Sequence, residues 1–198
     1  MTTVCLVGAP DSDLRYELLS RETARDALAT YDLERPFANS VAVETISLGA
    51  AVALVNDLAW YLVRFVETTL VHEPSVSDGE WLSRELATAV RDGTVSPEES
   101  GRYLKVYGVE RPGTGGDADA TDEGSDDRPA GPAGPVDSDT PEGRPAGGEG
   151  RTVPAEADAP RLVEPMYVAR TGRQLPEYDL RDVEETLVVR VTESEFGG

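Results

Sequence analysis

A single cysteine, Cys5, and a single histidine, His72, are the side chains in this sequence best equipped for nucleophilic or proton-transfer chemistry. A thiolate nucleophile needs a base within hydrogen-bond reach. Cys5 lies inside the apolar run Thr3-Val4-Cys5-Leu6-Val7-Gly8, where a small buried hydrophobe is its expected role, and His72 closes a separate periodic segment. One cysteine excludes an intramolecular disulfide. Together the two residues supply two ligands of a zinc site, leaving the rest to carboxylates. Carboxylates are too many to single out, because 38 Asp and Glu make any chosen pair uninformative about general acid–base work. No catalytic residue, cofactor or metal ligand is assigned, and the reading leans away from an enzyme.

Three further stretches have the residue types for binding chemistry. The turn Gly8-Ala9-Pro10-Asp11-Ser12-Asp13 follows a strand and precedes a helix, where α/β folds place ligand loops. It lacks both G-x-G-x-x-G and G-x-x-x-x-G-K-[ST], and Asp11 with Asp13 would repel a phosphate. Residues 86–105, from Leu86-Ala87-Thr88-Ala89-Val90 through Gly93 to Arg102-Tyr103-Leu104-Lys105, loosely resemble a DNA-binding helix-turn-helix. The glycine falls late, Gly101 weakens the recognition helix, and seven acids against four bases between Ser77 and Glu110 oppose phosphate contacts. At the C-terminus a strand runs into Gly197-Gly198, which resembles the tail of ubiquitin-like modifiers and sulfur carriers, whose terminal glycine carboxylate is adenylated.

The surroundings of these residues are acidic throughout. The formal net charge is −20, and Lys105 is the only lysine among 18 basic residues. Such a surface suits molar salt, where screening over about 3 Å removes self-repulsion. The composition therefore points to a salt-loaded cytoplasm, and acidity alone identifies no partner. Between Arg111 and Pro160 stand ten Gly, eight Pro, twelve acids and four Arg, without any aromatic, Leu or Ile. That stretch lacks the apolar surface needed to offset the entropy of ordering it and is expected to be a disordered acidic segment.

On either side the patterns are regular. Thr3–Gly8 and Val41–Ile46 are expected strands, joined by a helix capped by Asp11 or Ser12 with Leu14, Leu18, Ala24, Leu28 and Tyr31 inward. From Leu48 to Val71 apolar residues recur at helical spacing, with Ala51, Leu54, Leu58, Leu62 and Phe65 on one face and Asp57, Arg64 and Glu67 on the other. The spacing predicts one amphipathic helix capped by Ser47, with residues 60–66 also fitting a buried strand. Its charges argue against a membrane span. Ser77-Asp78-Gly79-Glu80 has capping-box spacing, predicting a helix from about Asp78 to Arg91, and Ser96-Pro97-Glu98-Glu99 starts a further helical turn. A strand is expected over Tyr103–Val109. Met166–Arg170 and Thr186–Val191 are β-like runs separated by turn residues from Gly172 to Asp182.

The stretches Val4-Cys5-Leu6-Val7-Gly8, Leu14-Arg15-Tyr16-Glu17-Leu18-Leu19, Arg102-Tyr103-Leu104-Lys105-Val106-Tyr107-Gly108, Tyr178-Asp179-Leu180-Arg181 and Leu187-Val188-Val189-Arg190-Val191 resemble an uncharacterised protein family of halophilic archaea. The resemblance implies the salt-adapted cytoplasm and carries no activity and no site residues.

The expected architecture is an α/β or α+β fold with a single mixed sheet of about five strands and helices packed on it. Residues 1–110 form its main part, 111–160 interrupt it, and 161–198 complete it as a C-terminal β-hairpin. The expected function is a non-enzymatic interaction or regulatory module with protein partners and no membrane, nucleic acid being disfavoured. The helix-turn-helix and the Gly197-Gly198 carrier terminus are the alternatives.

Overall fold

The computed structural model describes residues 1–111, 159–171 and 185–198. The acidic segment expected at 111–160 lies outside the described residues over 112–158, as do Gly172 to Asp182 and the Tyr178-Asp179-Leu180-Arg181 stretch.

The first strand, β1 (Thr2–Gly8), is followed by α1 (Leu14–Leu19), α2 (Glu22–Leu28) and β2 (Ser40–Thr45). Next come α3 (Leu48–Asp57), α4 (Ala59–Phe65), β3 (Val66–His72), β4 (Trp81–Ser83) and α5 (Arg84–Arg91). The chain then forms β5 (Tyr103–Glu110), β6 (Arg161–Ala169), β7 (Glu185–Val191) and α6 (Glu193–Gly197). Among the described residues the strands build one seven-stranded mixed sheet, in the order β2-β1-β3-β4-β7-β5-β6. This is larger than the expected five. Only β4 and β7 pair in parallel; the other neighbours are antiparallel.

Alternation in the strands divides the core between two faces. Val4, Leu6, Val41, Val43, Val71 and Leu82 turn outward to meet Leu14, Leu18, Leu28, Val55, Leu58, Leu62 and Leu86 of the helices. Cys5, Ala42, Leu70, Tyr107, Val189 and Val191 turn inward and cluster beneath Phe37. The sheet curls around this inner cluster. The Tyr107 hydroxyl of β5 meets the Thr68 hydroxyl of β3 at 3.0 Å although the strands are not neighbours, and the Ala38 N–H donates to the Pro160 carbonyl at 2.8 Å just ahead of β6.

Several elements differ from the sequence reading. The helix expected across 12–31 is two short ones, with Ser20 ending α1 and Arg21 extended (φ −107°, ψ 125°) before α2; its cap is Asp13, whose carboxylate accepts from the Tyr16 N–H at 3.0 Å. The long helix from Leu48 bends by 69° at Leu58 and stops at Phe65. Its last turns are instead β3, because β-branched Val66, Thr68, Thr69 and Val71 pair with β1 and bury Leu70 and Val71. Among the described residues no single helix is long and apolar enough to cross a membrane. Ser77 does accept from the Glu80 N–H at 3.2 Å, but that turn leads into β4 rather than a helix. Leu82 is buried between β3 and β7, and Ser83 caps α5 by accepting from the Leu86 N–H at 3.1 Å. The expected C-terminal hairpin does not form: β7 and β6 flank β5 on opposite sides, each pairing with it. Among the described residues β6 is an edge strand, which accommodates Pro165 beside the register shift between Val106 and Gly108.

Candidate interaction surface

The bend at Leu58 rotates α4 so that Leu62 and Phe65 anchor it in the core while Trp60 and Val63 face solvent. Trp60 is 58% exposed and Val63 87%. At i and i+3 they share one side of the helix. Two guanidinium groups frame them: the Arg21 Cζ lies 5.8 Å from the Trp60 ring centroid and 5.4 Å from that of Phe65, and the Arg64 Cζ lies 6.0 and 5.7 Å from the same rings. Arg21 is placed by the break between α1 and α2 and oriented by Glu17 at 3.1 Å. Each exposed cation–π contact contributes about 0.5–1 kcal/mol. The arrangement sets an exposed indole and paired arginines, residue types enriched among those that dominate protein-binding energetics, beside an exposed valine. Sequence reasoning assigned Arg64 to the polar face and counted Trp60 and Val63 only in the alternative buried strand over 60–66; the structure makes Ala59–Phe65 a helix with both exposed. The available signal was a tryptophan and a valine out of phase with the buried positions.

The residues singled out by the sequence fall elsewhere. β1–β3 pairing brings Cys5 opposite Leu70 and Thr3 opposite His72, so Cys5 and His72 share the inner face diagonally. They make no reactive pair. Cys5 is fully buried, and burial pushes its thiol up to about 12 against the opposing hydrogen bond of Ser40. His72 Nε2 is 3.1 Å from the Asp78 carbonyl, with its ring 5.3 Å from that of Trp81. The Gly8–Asp13 turn is filled by Asn39, which sequence reasoning missed. Its Nδ2 donates to the Ala9 and Ser12 carbonyls at 3.0 and 2.7 Å, and its Oδ1 accepts from the Leu14 N–H at 2.9 Å. A Cβ on Gly8 would stand 2.5 Å from Asn39 Nδ2, so the glycine permits this approach.

In the 86–105 stretch, Leu86–Arg91 belong to α5, Gly93 (φ +72°) follows, Ser96–Ser100 make one turn, and Tyr103–Lys105 enter β5. At the terminus, Thr192 and Glu195 form a capping box for α6, and the Phe196 ring packs 4.9 Å from Tyr103. Gly197 closes that helix and Gly198 (φ +62°) follows, both exposed.

This is a mixed α/β chain in which Cys5 and His72 are not assembled as a catalytic pair. The chain belongs to the family of unknown function DUF5804, whose model matches residues 2–109. The match spans β1 to all but the last residue of β5 and includes the whole α4 surface. No curated protein and no solved structure matches the chain.

Proposed function

We propose that the chain is a non-enzymatic interaction module that docks another protein on the α4 surface, in the salt-loaded cytoplasm of a halophile. The observation that carries this reading is the exposed Trp60–Val63 pair framed by Arg21 and Arg64. In a chain of net charge −20, a positive, apolar patch selects a partner segment that presents carboxylates beside an aliphatic or aromatic side chain. The same net charge weighs against nucleic acid, whose affinity rests on phosphate neutralisation. The salt-adapted setting rests on the ratio of acids to bases and the single lysine.

The test is retention of proteins from a molar-salt lysate by the immobilised chain, compared with Trp60→Ala, Val63→Asp and a form lacking Gly197-Gly198. Both α4 variants should lose a partner that the truncated form keeps, with the melting temperature unchanged in Val63→Asp and lowered by about 2–8 °C in Trp60→Ala as its two cation–π contacts are lost. Identical retention by all four would refute the α4 assignment. Loss confined to the truncated form would place the carrier terminus ahead of it.

A further inference from the structure

The inner face of the curled sheet opens in a cavity of about 340 Å³, at the lower end of the size range of small-molecule sites. Its floor is Leu70, Val189 and Val191. One wall carries Lys105, the only lysine of the chain, which the register of β5 sets beside Val189 and Tyr167. The Lys105 Nζ lies 4.9 Å from the Tyr107 ring centroid and 5.6 Å from that of Tyr167. Burial works to lower its pKa, but the hydrogen bonds and charges of the two tyrosines outweigh it and hold the amine above its ordinary value. Lys105 is thus a fixed cation rather than a base or an amine nucleophile.

The opposite wall carries a carboxylate. Glu195 Oε2 accepts from Ser83 Oγ at 2.7 Å, Thr192 Oγ1 at 2.8 Å and the Thr192 N–H at 2.7 Å, which fixes it over the end of β4. Glu85 stands at the rim beside it. Partial desolvation of the Glu85 carboxyl, then the hydrogen bond and charge of Glu195, raise its pKa, with its own backbone amide and Arg84 acting the other way. The charged groups of the lining are Lys105, Arg84, Glu67, Glu85 and Glu195. Both signs of charge thus line the mouth over an apolar floor. A simple anion would meet Glu195 and Glu67, and a simple cation would meet Lys105 and Arg84.

We infer that this mouth binds a small zwitterion of the free amino-acid type, its carboxylate on Lys105 beside the Tyr107 and Tyr167 hydroxyls and its ammonium on Glu195 and Glu85. The apolar floor takes the rest of the ligand. The inference does not rest on docking at α4, although Val63 of that surface also lines this mouth; Trp60 does not. Tyr167 and Glu195 come from β6 and α6, so the mouth is completed by residues beyond the part of the chain matched by the family.

The experiment screens the twenty L-amino acids at millimolar concentration by thermal shift on the full chain in molar KCl at neutral pH. The best is then titrated calorimetrically beside its N-acetyl derivative and its methyl ester. At least one amino acid should raise the melting temperature, and both derivatives should bind at least about tenfold more weakly, since each lacks one of the two charges. Lys105→Met should weaken binding by a similar factor. Glu85→Gln should do so while leaving the neutral-pH melting temperature equal or higher, because it removes a like charge beside Glu195; loss of binding there cannot be loss of fold. Trp60→Ala should bind as the native chain does, which separates this site from α4 docking. No shift with any of the twenty, an N-acetyl derivative that binds equally well, or native affinity in Lys105→Met would each overturn the inference.

Discussion

Replacing Glu80 by Gln should destabilise the fold by about 3 kcal/mol. Glu80 leaves the turn before β4 and meets two arginines: Arg170, just after β6, and Arg190 of β7, whose Nε donates to Glu80 Oε2 at 2.5 Å. Arg190 Nη1 also donates to Ser100 Oγ at 2.8 Å and the Pro97 carbonyl at 3.3 Å, so one carboxylate joins β4, β6, β7 and the turn before β5. The three side chains are only 12–16% exposed. Removing one partner of a buried ion pair costs about 3–5 kcal/mol, because the remaining charge stays buried without compensation. Residual solvent access places this cluster at the lower end. For a chain of this size the loss corresponds to about 6–12 °C in melting temperature.

The pH dependence gives an independent check. Burial acts to raise the Glu80 pKa, but the hydrogen bonds and charges of Arg170 and Arg190 prevail and hold it below the ordinary value of 4.5. A carboxyl depressed in the folded state contributes stability that is present above its unfolded pKa and is lost as pH falls through the folded one. The difference between native and Glu80→Gln chains should therefore hold at neutral pH and shrink as pH drops below about 4.5. Denaturant unfolding at a series of pH values measures it. A neutral-pH difference under about 0.5 kcal/mol, the level of an ordinary surface change, would refute the reasoning.

Other expectations follow from single residues. Cys5 should resist thiol reagents in the folded chain and react fully once unfolded, since its thiol is buried and raised to about 12; rapid labelling of the native protein would contradict the packing of β1. Asn39→Ala should cost about 3 kcal/mol in denaturant unfolding, roughly 1 kcal/mol for each of three hydrogen bonds. Asn39→Gly should recover about 1 kcal/mol of that, because the residue sits at φ +50°. The melting temperature should fall as salt is lowered from molar to about 0.1 M, where the Debye length grows from about 3 to 10 Å, and a salt-independent value would refute the halophile reading.

Much of the fold was legible where local pattern and tertiary demand agreed. Thr3–Gly8, Val41–Ile46 and Tyr103–Val109 lie in strands within a residue of their expected ends, and Leu14, Leu18, Ala24 and Leu28 are buried as their spacing required. Failures came where long-range pairing overrode a local signal. Val66–His72 continues a helical period in sequence but meets the unsatisfied edge of β1, and Trp81–Ser83 follows a capping signal yet bridges β3 to β7. Glu80 reads as a capping-box residue and serves instead as the anion for Arg170 and Arg190, ninety or more positions away. The candidate surface was hidden for a related reason. Trp60 and Val63 fall out of phase with the buried helical positions but inside the run 60–66 that also fits a buried strand, which would cover them; the structure makes Ala59–Phe65 a helix and leaves both exposed.

Docking at α4 is tested most directly by a photo-crosslinking residue, p-benzoylphenylalanine, placed at Val63 or, as a control of matched exposure, at Ile46; the two side chains are 87% and 84% exposed. Irradiation in the cells that make the chain should give one dominant protein adduct from position 63 and none from 46. Mass spectrometry should place it on a partner segment carrying acidic residues next to an apolar one. Adducts of equal yield at both positions, adducts to this chain itself, or no protein adduct at 63 would contradict the account.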